Sequence, residues 1–262
     1  MVARQEDQAR PRRDGKLMSQ AGPVRVERSY ETIARAIERL ILEGSMAPGE
    51  VLPPETAFAA QLGVNRSTLR EALRTLEQHG LVHREAGRKK LRVGTPRTTD
   101  IARRVASAMV AQRVTFEELY EAMRALEPAA AAAAAQRRAN EDVLALEDNL
   151  ARSRRALDDR ASLTQLDIEF HRLVAQAAKN RAIDLAREPL SDLFYPAFYA
   201  VMSRLNAAER LLVAHGHIVD AIKAHDTATA RSWMERHITD FGRGYELANL
   251  DMREAVSHLG TE

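Results

Sequence analysis

Apolar residues along the chain fall into two regimes. From residue 28 to 94 they come in short bursts broken by Gly and Pro; from about 98 to 250 they recur at helical spacing with few interruptions. In "YETIARAIERLILEG", Ile33, Ile37, Leu40 and Ile41 lie at i, i+4, i+7 and i+8, one stripe of a helix, and Gly44 ends it. "MAPGEVLPPE" reads as a turn, and "ETAFAAQLGV" as a short helix stopped at Gly63. Asn65 suits the N-cap of a third helix that runs to His79 and stops at Gly80. "LVHREAGRKKLRV" then alternates around Gly87, as a two-stranded ribbon does. Beyond residue 98 only helical patterns follow. Breaks near Val114, Asn140, Ala161, Asn180, Asn206 and Asp226 divide them into about seven helices. The run "PAAAAAAAQRR" (128–138) reads as a Pro-started helical stretch rather than a linker, because Leu119, Met123 and Leu126 precede it in helical spacing. Alanine there has high helix propensity and little bulk, so neighbouring helices can approach closely.

The predicted architecture is therefore mainly α: an N-terminal winged helix-turn-helix at 28–95 and a C-terminal all-helical bundle at 98–250. Residues 1–27 lack an apolar period and read as a disordered basic tail. Composition changes this picture little. The 262 residues include no cysteine, which excludes disulfides and thiolate metal sites. No apolar run is long enough for a membrane span. The N-terminus has no apolar signal region, so the expected location is the cytoplasm. Charge is more telling. The net charge is +2, yet residues 28–94 carry 11 basic and 8 acidic side chains while 95–262 carry 22 and 25. The positive excess sits in the first third, where an anionic partner would bind.

That third contains "LGVNRSTLREALRTLEQHGLV". Leu69, Leu73 and Leu76 form a face suited to packing, whereas Arg66 and Arg70 share another face with Ser67 and Thr68 nearby. Helix-turn-helix proteins present the start of their second helix to the major groove of double-stranded DNA. Hydroxyls and backbone N–H groups there suit phosphate, and arginine pairs bidentately with guanine. At the wing, Arg88, Lys89 and Lys90 beside Gly87 suit backbone or minor-groove contact. In the helical half, Asp167 and His171 lie at i, i+4 in "LDIEFHRLV". His215 shares a face with Ile218, Val219 and Ile222, and His237 lies between Trp233 and Phe241 on another stripe. Three inward imidazoles and a carboxylate can hold a divalent metal such as Zn, Ni, Fe or Mn, or the histidines can be hydrogen-bonded core residues. Such a group can also activate water in a metal-dependent hydrolase. However, the nearby Glu169 does not share the Asp167/His171 face, and no general base is evident.

"IARAIERLILEGSMAPGEVLPPE" together with "LGVNRSTLREALRTLEQHGLV" resembles the DNA-binding domain of GntR-type transcription regulators. The resemblance implies DNA contacts from Arg66, Ser67, Thr68 and Arg70, with Gly87, Arg88 and Lys89 at the wing. It departs from the family pattern at Pro54, where Ser or Thr is usual, and at Thr56, where Arg or Lys often stands. "LDIEFHRLVAQAAKN" and "AHGHIVDAIKAHDTATARSWMERHI" resemble the FCD ligand-binding domain of the FadR subfamily. This implies metal ligation by Asp167, His171, His215 and His237, and a homodimer on a palindromic operator. It also implies regulation, by repression, through a small organic or sugar acid, without enzymatic activity. Candidate effector contacts are Arg124 and Asn180. Met123 occupies the position four residues before Glu127 where the family has its arginine. A structural metal, or one sensed directly, is the alternative.

Overall fold

The computed structural model describes residues 29–84, 90–204 and 207–257. The wing-tip candidates Gly87, Arg88 and Lys89, and the tail 1–27, lie outside the described residues. The chain divides into two compact units between Pro96 and Arg97.

In the first unit, α1 (Ser29–Leu42), α2 (Glu55–Leu62) and α3 (Arg66–Gln78) precede an antiparallel ribbon, β1 (Val82–Arg84) and β2 (Leu91–Val93). Val82 pairs with Val93 and Arg84 with Leu91. The predicted stripe of α1 is realised: Ile37 and Ile41 are buried with Leu69, Ala72, Leu73 and Leu76 of α3 in one apolar core. Gly63 ends α2 in the left-handed conformation, φ 65°, which turns the chain within three residues into α3. Asn65 does occupy the N-cap of α3, but its side chain makes no capping hydrogen bond. An added pairing was not foreseen. Residues 49–52 run beside β2, with Leu52 N donating to Leu91 O and Val93 N to Glu50 O.

The second unit contains α4 (Thr98–Ala111), α5 (Phe116–Arg137), α6 (Asn140–Arg155), α7 (Arg160–Ala177), α8 (Arg181–Arg204), α9 (Ala208–Lys223) and α10 (Thr227–Leu247). Among the described residues the seven helices match the expected number, and every expected break falls at or within a few residues of an observed one. Glycine does not make these stops. Arg113, Lys179, His225 and Asn249 adopt positive φ of 50–58° at helix ends. Helix α5 carries the Ala-rich run in its second half. It starts after Thr115, whose hydroxyl accepts from Glu118 N while Glu118 Oε2 accepts from Thr115 N, and Pro128 lies inside the helix. Ala130, Ala131, Ala134 and Ala135 are fully buried. Close approach by α10 is evident at Gly242, where a Cβ would stand 2.6 Å from the Tyr120 ring. Phe116 stacks on Tyr245 at 4.0 Å between ring centroids and lies 5.4 Å from Phe194, tying α5 to α10 and α8. The unit also extends past the expected boundary of 250: Val256 is buried and its N–H donates to Val114 O. Among the described residues, no helix is long and apolar enough to cross a membrane.

Candidate metal centre and nucleic-acid interface

Helix α3 separates its two sets of side chains as the pattern requires. Leu69, Leu73 and Leu76 are buried, whereas Arg66, Ser67 and Arg70 are exposed and Thr68 is half-buried. Arg66 and Arg70 do not project freely. Glu55, at the first position of α2, accepts from Arg66 Nε at 3.4 Å and from Arg70 Nε and Nη2 at 3.2 and 3.1 Å, all through Oε2. The sequence reading missed Glu55.

In the helical unit, α7, α9 and α10 bring Asp167, His171, His215 and His237 together. All four are buried, and one ligand atom from each lies within 4.8 Å of the others. His171 Nε2 and His237 Nε2 are 3.2 Å apart. Asp167 Oδ1 stands 3.3 Å from His215 Nε2 and 3.9 Å from His171 Nε2. These atoms face one another closely, yet Asp167 Oδ1 and both ring nitrogens of His215 have no hydrogen-bond partner. An unpaired buried polar atom is costly. Convergent ligand atoms of which Asp167 Oδ1 and His215 Nε2 are left unpaired fit a common cation. Ligands held at about 2.0–2.2 Å from an ion would themselves stand roughly 3–4 Å apart, as the pairs at 3.2, 3.3 and 3.9 Å do. The hydrogen-bonded core alternative fits Asp167 and His215 poorly. Phe170 stacks on His215 at 3.7 Å and fixes its ring plane.

A second layer supports the group. Glu127 Oε2 accepts from His171 Nδ1 at 2.8 Å, which leaves Nε2 free to face the cluster. Glu127 Oε1 accepts from Arg187 Nε at 2.6 Å, and Arg187 Nη2 donates to Ser191 Oγ at 2.6 Å. Glu127 and Arg187 are 0% and 1% exposed. Burial works to raise the Glu127 carboxyl, but Arg187 and His171 overcome it and hold it down to about 2. Burial likewise works to lower His171, and Glu127 and Asp167 reverse it into an upward shift. His215 and His237 are pushed well below the ordinary histidine range, first by burial and then by neighbouring histidines, which keeps them neutral as ligands must be. Burial raises Asp167.

The effector candidates do not join this cluster. Arg124 is exposed, its guanidinium over Tyr120 at 5.8 Å from the ring centroid. Asn180 spends its side-chain oxygen on Ala182 N and Ile183 N at the start of α8. Met123 is buried in the core. Glu169 pairs with Arg152 at 2.9 Å and is not one of the cluster's four residues, as its helical position implied. The buried cation near the cluster is Arg187, which sequence reading also missed. The signal was present: Arg187 interrupts the apolar spacing of Ile183, Leu190 and Phe194 on α8. Trp233, expected on the inner stripe of α10, is only half-buried and stacks on His217 at 4.0 Å.

A winged helix-turn-helix followed by a helical unit with a buried Asp/His₃ group is the build of a transcription regulator. Residues 29–89 match the bacterial regulatory proteins of the gntR family, and residues 118–240 match the FCD domain. The chain is 31% identical over 214 residues to the uncharacterized HTH-type transcriptional regulator Rv0494 of Mycobacterium tuberculosis, covering 81% of this chain and 87% of that one. It is 26% identical to the HTH-type transcriptional regulator LutR of Bacillus subtilis, covering 77% and 94%. In fold it is similar to a GntR protein of Streptococcus agalactiae, with TM-score 0.59, 24% identity, and coverage of 82% and 99%. The chain belongs to the GntR family of bacterial transcription regulators and carries an FCD domain. The family and these relatives are regulators, not enzymes, and the hydrolase reading is set aside.

Proposed function

We propose that the chain is a homodimeric, FadR-type repressor whose affinity for a palindromic operator is set by a small organic or sugar acid bound at a divalent metal. The observation that carries this is the convergence of Asp167, His171, His215 and His237 in one buried group, in which Asp167 Oδ1 and both ring nitrogens of His215 have no hydrogen-bond partner. A divalent ion there would supply a Lewis-acidic anchor for an effector carboxylate. Zn, Ni, Fe and Mn all suit three imidazoles and one carboxylate. Charge counting supports an anionic effector. Glu127 and Asp167 bring two negative charges, Arg187 one positive, and a divalent ion two more, so the buried group has a surplus of one positive charge that a monoanion neutralises. Arg187, two hydrogen bonds away from His171, takes the role first considered for Arg124 and Asn180. Its Nη1 is buried without a hydrogen bond, 3.6 Å from Glu188 Oε2.

Arg66, Ser67, Thr68 and Arg70 read and grip the duplex in this account, with Gly87, Arg88 and Lys89 at the wing. The test is a thermal-shift screen of hydroxy and sugar acids on metal-loaded and chelator-treated protein. DNA affinity is then measured with and without each hit. An acid that stabilises only the loaded protein and weakens DNA binding supports the reading, and DNA must weaken that acid's binding by the same factor. DNA affinity unchanged by every acid, with loaded and stripped protein alike, overturns it. The burial of all four donors also suits a purely structural ion. In that case chelation lowers the melting temperature and leaves DNA affinity unchanged. A directly sensed metal would instead alter DNA affinity on chelation without any acid.

A further inference from the structure

We infer that Glu55 is a positioning residue for sequence discrimination: it grips the side edges of Arg66 and Arg70 so that their outer forks are presented to guanine. This rests on the DNA-reading role proposed above. The carboxylate opens α2, and the tight turn at Gly63 brings the first turn of α3 against it. Both arginines meet one oxygen, Oε2. The contact to Arg70 uses Nε and Nη2, which defines the plane of its guanidinium; the contact to Arg66 uses Nε alone. A guanidinium has five N–H donors. The side edge spends Nε–H and one Nη2–H, and leaves the end-on pair on Nη1 and Nη2 for the O6 and N7 of guanine. Without Glu55 the two side chains would sample many rotamers, each with its own approach to phosphate. Glu55 is also the less exposed partner, its side chain at 23% against 57% and 56% for the arginines, so the anchor is the better-fixed end of each contact.

The carboxylate has a second consequence. Its negative charge beside two arginines reduces their attraction to phosphate at any sequence, while the oriented forks favour particular bases. Glu55 therefore trades non-specific affinity for discrimination. A merely structural role would instead lower affinity for all DNA together.

The experiment uses full-length protein and a duplex selected by the wild type from a random-sequence pool. Affinity is measured for that duplex, for versions with each guanine in turn replaced by adenine, and for an unselected duplex, across a salt series. Circular dichroism and melting confirm that each variant is folded. Glu55→Gln is expected to lower the ratio of selected to unselected affinity roughly tenfold, the scale of one oriented bidentate contact. It should raise affinity for the unselected duplex and steepen its salt dependence. Arg70→Lys keeps the charge and removes the fork; it should lose discrimination at one guanine, and adding Glu55→Gln should lower it little further. Unchanged discrimination in Glu55→Gln overturns the inference, as does an equal loss on both duplexes. If the wild type selects no duplex at all, the DNA-reading role itself fails and this inference with it.

Discussion

Each unit of the chain contains a carboxylate linked to two cationic or titratable partners, and the two arrangements are physically opposite. Glu55 binds Arg66 and Arg70 at the surface, where both arginines are more than half exposed. Glu127 binds Arg187 and His171 inside the bundle, with side chains 0%, 2% and 6% exposed. Water screens the first trio, so its bonds add little stability, and the outer forks of the arginines stay open to solvent, phosphate or a base. The second trio has no water to return to. Its bonds cannot be given up without stranding a charge, so it serves as a fixed frame for the histidine that faces the cluster. In the proposed account similar chemistry is a reading device in one place and a scaffold in the other, and burial makes the difference.

The largest expected effect separates the two directly. Glu127→Ala strands Arg187 and is expected to destabilise the helical unit by about 3–5 kcal/mol in denaturant unfolding. Glu55→Ala should change stability by about 1 kcal/mol or less. Comparable losses at both sites would erase the distinction. Replacing Glu127 and Arg187 together by leucine and methionine should be less harmful than Glu127→Ala alone, because no charge remains buried.

Acid sharpens the same comparison. Glu127 binds its proton near 4.5 when unfolded and only near about 2 when folded, so the folded state favours its ionised form. Its stabilising contribution is present above pH 4.5 and is lost as pH falls toward 2. The stability gap between wild type and Glu127→Gln should narrow over that window in melts recorded at successive pH values. A gap that widens on acidification contradicts the assignment.

Arg70→Ala tests the surface trio where it is meant to act. Melting should be nearly unchanged, whereas binding to a selected duplex at physiological salt should weaken by roughly tenfold or more in a fluorescence anisotropy titration. Unchanged binding would remove Arg70 from the reading face.

Helix periodicity made most of the fold legible. The stripe of α1, the buried face of α3 and the seven helices of the second unit follow from apolar spacing alone, because these helices bury one continuous side. The clustered residues were legible by a mixed route: apolar neighbours mark His215 and His237 as inward, Asp167 and His171 share a face at i, i+4, and the resemblance to the FCD domain joined the four. Residues that matter through long-range pairing were not. Glu127 and Arg187 are 60 residues apart and Glu55 and Arg70 are 15 apart, and no local pattern joins them. Arg124 lies on the solvent side while Met123 and Glu127 point inward, as a turn of about 100° per residue implies. The start of α5 was legible as the break near Val114, but the capping pair that makes it, Thr115 and Glu118, was not singled out.

The central claim is that the helical unit is built around a metal ion. The most direct measurement is the metal content of untagged protein, purified without chelator and then reconstituted, beside a His171→Ala/His215→Ala double variant. The account predicts about one divalent ion per wild-type chain and none in the variant, since two of four donors are gone. No bound metal in the wild type even after reconstitution, or equal content in both proteins, would contradict it.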